Sequence, residues 1–332
     1  MKRSLLPFLR CPNCDSDDLV LEVFEEDDQG VLNGRIVSPD CNQWYRIDGA
    51  VVDLLPVGLR NGNRYDRFAA RYGLAIHAGT REQSPLDAQK SQMTFFAEEA
   101  KVYERDITNS VFYQVSFRLC MLQWIHRLPT AQVVLDIGGG TGRQAIPLAK
   151  SGHVVVSCDI SEEMLRIARD KARKEGLDGR TNFILADATA LPLRDNVFDA
   201  VICSSTLHHV PSPEGTITHA SRVLKRGGRW YSYDPNDSPA RFVFDWAMRL
   251  KKLYEEEASD NHMLNGTDLS KWCEGAGLKV DIRYSTYILP HLINSLGTQA
   301  AYAILKGTDL CFQHLPFFKK FGGIIISEGM KA

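Results

Sequence analysis

The chain has 332 residues, with 39 lysines and arginines against 41 aspartates and glutamates, so a formal net charge of −2 leaves no global basic field to attract nucleic acid. Hydrophobic residues make up 44% of the sequence, enough for a sizeable core and more than one structural unit. Eight cysteines without a secretory leader pattern point to a reducing, cytoplasmic setting, and the longest weakly charged stretch, Tyr287 to Leu305, is broken by Pro290, Asn294 and Gly297 and makes a poor membrane span.

The first sixty residues read as a separate small β unit. Cys11 and Cys14 form a C-x-x-C knuckle, a tight turn that puts two thiolates within reach of one tetrahedral metal. An acidic run from Glu25 to Asp28 follows, then a hairpin and a strand around Gly34 to Cys41 and Tyr45 to Gly49. Residues 1–62 hold 11 acidic against 6 basic side chains, a net of −5, which argues against an RNA-gripping arm. No βαβ pattern surrounds the cysteine pair, so a redox role is disfavoured. Residues 61–130 read as a helical cap or linker, with helical patterns around Tyr65 to Ala69 and Phe95 to Tyr103 and a polar loop at Gly79 to Pro85.

The most informative stretch comes next. Val133 to Ile137 is an apolar run interrupted by Asp136, followed by Gly138, Gly140 and Gly142 at every second position and then a helical pattern. A strand, a glycine turn and a helix start let a nucleotide-like ligand lie against bare backbone. Counting the dinucleotide fingerprint from Gly138 would require a third glycine at position 143, which is Arg143. A second strand ends at Asp159, placed to bind ribose hydroxyls, with Ser161 as helix cap. A third ends at Asp187 and Ala188, a fourth runs from Phe198 to Ser204 before Leu207, His208 and His209, and a fifth covers Arg229 to Tyr233 before Asp234 and Asn236. A sixth strand starts after Gly277 and a last one after Gly323. Between them lies an insertion at about residues 284–321, rich in aromatics such as Tyr284, Tyr287, Tyr302, Phe312 and Phe318.

As an ordered set, the blocks between residues 110 and 235 resemble class I S-adenosylmethionine (SAM) dependent methyltransferases. The resemblance implies an α/β, Rossmann-like fold with a seven-stranded sheet in the order 3-2-1-4-5-7-6 and strand 7 antiparallel, the core spanning residues 131–332. It implies that Asp136, Gly138, Gly140 and Gly142 surround the methionine end of SAM and that Asp159 holds the ribose. Ile160 would pack on adenine, and Asp187 with Ala188 would meet its amino group; Ser204, at the tip of the fourth strand, completes the expected cofactor set. Residues 1–60 resemble the small zinc-ribbon-like proteins that accompany methyltransferases, keeping Cys41, Tyr45, Ile47, Gly49 and the Leu54 to Pro56 end. They depart at Ser38, where a fourth cysteine belongs. Zinc on Cys11, Cys14 and Cys41 and a metal-free remnant of the ribbon both stay open.

Methyl transfer needs mainly alignment, with a base only where the acceptor loses a proton. His209, His208 and Tyr113 are the catalytic candidates, with Tyr103 a second tyrosine near the sulfonium; each also has a plain packing or loop-holding role open to it. The aromatic insertion suits a lid over a small, largely apolar acceptor that is lipid-like, quinone-like or a secondary metabolite, and the same surface suits a homodimer. Two alternatives stay open: an rRNA or tRNA base methyltransferase with an N-terminal zinc knuckle, and a catalytically inactive SAM-binding regulator or scaffold.

Overall fold

A computed structural model describes residues 1–75, 87–238, 263–285, 293–314 and 321–332. The N-terminal strands are β1 (Val20–Asp27), β2 (Gly30–Ser38), β3 (Gln43–Asp48) and β4 (Val51–Asp53). After helices α1 (Gly62–Tyr72), α2 (Asp87–Asn109), α3 (Val111–Ser116) and α4 (Leu122–Arg127) come β5 (Val133–Ile137), α5 (Ala145–Lys150), β6 (Val154–Asp159) and α6 (Glu162–Lys174). Strands β7 (Thr181–Leu185), β8 (Phe198–Ser204) and β9 (Leu224–Pro235) follow, with α7 (Pro213–Val223) between the last two; α8 (Gly266–Gly275), β10 (Leu278–Ser285), α9 (Thr298–His314) and β11 (Ile324–Lys331) complete the chain.

The sheet has eleven strands among the described residues, in the order β1-β2-β3-β4-β7-β6-β5-β8-β9-β11-β10. Neighbours from β4 through β9 pair in parallel, and β11 is antiparallel to both β9 and β10. The central strands are near-continuous apolar runs because helices cover both faces of a parallel sheet; Val134, Leu135, Ala200, Val201 and Ile202 are all fully buried. Helix α6 begins where Ser161 accepts the amide of Met164, with Glu162 and Glu163 in its first turn and Lys171, Arg173 and Lys174 in its last, charges that complement the helix dipole at both ends.

The expected boundary near residue 60 is crossed by the sheet and by the core. Val51, Val52 and Asp53 pair in parallel with Phe183, Ile184 and Leu185. Leu5, Leu9, Ile36, Ile47 and Leu54 share one apolar cluster with Leu135, Val156, Ile184, Leu193 and Phe198. The N-terminal strands thus extend the larger sheet by four, and their apolar face is buried against it. Helix α1 packs on this extension through Tyr65 and Phe68 against Trp44.

A buried ionic network locks the junction. Arg46 on β3, 2% exposed, donates to Asp53 at 3.0 Å and to Asp48 at 3.1 Å and is ion-paired with Glu162 at the start of α6. Arg166 reaches Asp48 at 2.8 Å, and Arg64 on α1 pairs with Glu162 and Glu163. Burial alone would raise the Glu162 carboxyl, but the charges of Arg46, Arg166 and Arg64 hold it down at about 2.

Removing one partner of a buried ion pair strands the others in low dielectric, at about 3–5 kcal/mol. Arg46→Met is expected to destabilise the protein by that order in urea titrations near neutral pH. A depressed carboxyl contributes stability above its unfolded value and loses it as pH falls through the folded one. The gap between wild type and Arg46→Met should therefore narrow as pH drops from about 4.5 toward about 2. A variant as stable as wild type at pH 7 would contradict the network's role.

Candidate functional site

Beyond the C-terminal ends of β5, β6, β7, β8 and β9 lies a cavity of about 400 Å³, the edge where open parallel sheets take their ligands. Its floor is the glycine turn after β5. The amides of Gly138 and Gly139 both donate to the Cys158 carbonyl, at 2.8 and 3.0 Å, which folds the turn back over the end of β6. Gly138 has φ of 67° and Gly140 of 50°, conformations that glycine adopts without strain. A side chain on Gly138 would also strike Thr206, whose Oγ1 would lie 2.1 Å from the new carbon, whereas nothing lies within 4 Å at Gly140.

Asp159 ties the turn to the next helix. Its Oδ2 accepts the Gly140 amide at 2.9 Å and its Oδ1 the Ser161 amide at 2.8 Å. Asp187 caps the next turn, with Oδ1 accepting the Thr189 amide at 2.8 Å and hydroxyl at 2.7 Å. Its Oδ2 accepts from Gln89 of α2 at 3.3 Å. Helix α2 therefore roofs this side, and Gln89, Gln92, Phe96 and Tyr103 all face the cavity. Burial pushes the Tyr103 hydroxyl up to about 12, so it stays protonated at neutral pH.

The opposite wall comes from the segment after β8 and from the end of β9. Ser205 has φ of 54° and turns the chain, and its amide donates to the Tyr233 carbonyl at 2.6 Å. His208 and His209 then enter the cavity wall with ring centroids 3.8 Å apart. His208 Nδ1 lies 2.9 Å from Asp234 Oδ1, which also accepts the amides of Thr206 at 3.0 Å and His208 at 3.3 Å. Asp234 is fully buried, and burial outweighs these donors and the nearby His209, lifting its carboxyl to about 8. His209 meets Phe96 edge-on at 5.2 Å.

The structure brings together Gly138, Gly140, Asp159, Ile160, Asp187, Ala188, Tyr113, His208 and His209 around this one cavity. It places three other expected residues behind the wall. Asp136 is 1% exposed and turned beneath the glycine turn toward Ser157 Oγ at 3.4 Å, its carboxyl lifted to about 7 by burial and by the charge of Asp159. Gly142 has φ of 84° and faces helix α6, where a side chain would meet Ala168 at 3.1 Å. Ser204 is buried, and Ser205 takes the place at the cavity surface. Gln89, Gln92 and Arg143 line the site without having been singled out as ligands; polar residues on an amphipathic helix, as at 89 and 92, or in a turn, as at 143, look solvent-facing in sequence. The expected lid residues 286–292 and 315–320, and the stretch 240–258, lie outside the described residues, as does the loop at Gly79 to Pro85. Helix α9 is described, and its Ala301 and Leu305 pack against Phe112 behind the cavity.

Far from this cavity, the sulfur atoms of Cys11, Cys14 and Cys41 lie within 4.8 Å of one another. Cys11 Sγ is 3.6 Å from Cys41 Sγ and 3.1 Å from the Tyr45 hydroxyl, and Ser38 Oγ is 3.4 Å from Cys14 Sγ. Asp40 instead accepts a hydrogen bond from Ser16 at 2.5 Å.

Two glycine variants separate fold from ligand. A side chain at positive φ costs about 1–2 kcal/mol. Gly138→Ala adds the clash with Thr206 and should lower thermal stability more than Gly140→Ala. Gly140→Ala should leave the fold closer to wild type and lose adenosyl-ligand affinity, because its new methyl projects from a residue of the cavity wall. Equal effects of the two on both thermal melting and calorimetric binding would contradict this geometry.

Comparison with known proteins agrees with the site. A family model described as a methyltransferase domain matches residues 135–232. A demethylmenaquinone methyltransferase from Clavibacter sepedonicus is 37% identical over 160 residues, covering 43% of this chain and 64% of that protein. The ubiquinone/menaquinone biosynthesis C-methyltransferase UbiE of Pasteurella multocida is 33% identical over 179 residues, covering 46% and 66%. The chain thus spans just under two thirds of these relatives' length. Among solved structures, phosphoethanolamine N-methyltransferase 2 of Haemonchus contortus superposes with a TM-score of 0.51 at 17% identity, over 76% of this chain and 61% of that one, a likeness of fold alone. With the glycine turn, the acids at the ends of β6 and β7 and this match in agreement, residues 135–232 form a methyltransferase domain of the SAM-dependent class.

Proposed function

We propose that the protein transfers a methyl group from SAM to a small, apolar, quinone-like ring that carries an ionisable hydroxyl. The carrying observation is the distribution of charge around the cavity. The Asp, Glu, Lys and Arg side chains that line it among the described residues are Asp159, Asp187 and Arg143, at the strand tips and glycine turn. Away from them the wall is built from Phe96, Tyr233, Met263 and Phe321 with the two imidazoles. Among the described residues of that wall a charged headgroup would find no Asp, Glu, Lys or Arg, whereas an aromatic ring finds faces to pack against. The quinone methyltransferases at 33–37% identity support the same acceptor class.

The residues present fit SAM. Gly140, with nothing within 4 Å of where a side chain would start, admits close approach, and Asp159 and Asp187 on the cavity wall offer acceptors for ribose and adenine donors. When bound, SAM supplies a methyl activated by its sulfonium, which passes in line to the acceptor as the C–S electron pair returns to sulfur and one proton leaves the acceptor. The protein's part is alignment and that proton. His208 takes the hydroxyl proton as the ring carbon attacks and returns it to the oxygen once the proton on the methylated carbon has left, which restores the aromatic ring, while Asp234 fixes the imidazole through Nδ1. His209 and Phe96 hold the acceptor's ring plane, Tyr113 closes the wall beside the glycine turn, and α2 over Asp187 excludes water.

Labelled SAM incubated with a demethylated quinol is expected to yield a C-methylated product and S-adenosylhomocysteine. His208→Gln should lower kcat by about 10²–10⁴ and leave S-adenosylhomocysteine affinity within a few-fold of wild type. Turnover confined to RNA would overturn the acceptor assignment in favour of a nucleic-acid enzyme. Binding without turnover on any acceptor would favour a SAM-binding scaffold.

The thiol cluster supports a second, structural function for the N-terminal strands. Cys11, Cys14 and Cys41 would hold one zinc ion, with the Ser38 hydroxyl or a water at the fourth corner. Zinc–sulfur bonds of about 2.3 Å suit sulfurs spaced as these are. The purified protein should carry zinc that chelators strip more readily from wild type than from Ser38→Cys, which completes four thiolates. Absence of metal after purification and after zinc titration would contradict this role.

A further inference from the structure

We infer that Arg143 binds the α-carboxylate of the cofactor's amino-acid tail and so selects adenosyl ligands that carry one. The inference rests on the cofactor reading above and assigns a residue to a part of that ligand. Arg143 follows the last glycine of the turn and lines the cavity beside Gly138 and Gly140. Its Nη2 donates to the Tyr113 carbonyl at 2.8 Å, and its guanidinium lies 5.3 Å from the Tyr113 ring centroid and 5.5 Å from that of Phe117. No carboxylate of the described residues pairs with it. Arg46, Arg64, Arg166 and Arg222, by contrast, each have an acidic partner.

A fixed, half-buried guanidinium without a counter-ion among the described residues is partly desolvated with no anion of theirs to compensate. Its planar fork suits a carboxylate, and its orientation is already set by the carbonyl and the two rings, so little freedom remains to lose on binding. The cofactor has one anionic group, the α-carboxylate; its ammonium and sulfonium are cationic. The cavity wall is otherwise acidic, with Asp159 and Asp187 at the strand tips. Those acids suit the cationic groups and repel the carboxylate, so the one arginine in this wall gives the carboxylate a place.

The test compares two ligands by calorimetry, S-adenosylhomocysteine and its decarboxylated analogue S-adenosyl-3-thiopropylamine, which keeps the adenosine, the sulfur and the amine. Wild type is expected to bind the first about 10–100-fold more tightly, the range of a charge-assisted pair. Arg143→Met should abolish that preference by weakening S-adenosylhomocysteine alone, and Arg143→Lys should recover part of it. Unchanged affinity for the decarboxylated ligand shows that the Met variant keeps its folded site. Equal weakening of both ligands in Arg143→Met, or equal affinity for both in wild type, would overturn the assignment. Wild type binding neither ligand would instead refute the cofactor reading, and the Arg143 assignment would fall with it.

Discussion

The carboxylate of Asp159 is the contact on which the site depends. One oxygen holds the Gly140 amide and the other the Ser161 amide, so a single side chain at the end of β6 fixes both the glycine turn and the start of α6. Burial raises its carboxyl while these amide bonds favour the charged form. The turn it fixes is the cavity floor, and the helix it starts carries Met164 into the cavity and Glu162 into the ionic network. Without that bridge the Cys158 carbonyl is the remaining backbone partner that holds the turn over β6 among the described residues.

The N-terminal strands enter the same mechanical unit. Arg46 meets Glu162 one residue past the Ser161 cap, so β3 and the floor of the cavity are joined through a few side chains. The parallel pairing of β4 with β7 adds a second join, because β7 leads directly to Asp187. A unit that looks like an appendage in the sequence is therefore joined to the elements next to Asp159 and Asp187. This is a structural reason for it to be part of the same chain, whether or not its thiols hold zinc.

Much of this was legible in the sequence, for identifiable reasons. The central strands are β-branched runs ending in Asp or Ser, and the spacing of Gly138, Gly140 and Gly142 from Asp159 and Asp187 carries the site with it. The sheet's extension was not legible. Val51–Asp53 is a three-residue strand, and its partner β7 lies some 130 positions away in the chain, so no local pattern announces the pairing. Side-chain direction was the other gap. Strand alternation turns Asp136 beneath the turn, and the positive φ of Ser205 shifts the cavity surface one residue past Ser204. Gln89 stands on α2 and Arg143 in the turn before α5, places where a polar residue reads as solvent-facing, and only the packing of α2, α3 and α5 around one space reveals their direction.

The account stands on one arrangement: cofactor on the glycine turn, acceptor against the aromatic wall, His208 between acceptor and Asp234. A crystal structure with S-adenosylhomocysteine and a quinol analogue tests it directly. It should show adenine beside Asp187 and Ile160, the sulfur facing the acceptor ring with room for a methyl that would lie about 3–3.5 Å from the reacting carbon, and the acceptor hydroxyl within hydrogen-bond reach of His208. An acceptor bound away from His208, or adenine lying on the Phe96 and Tyr233 side, would contradict it.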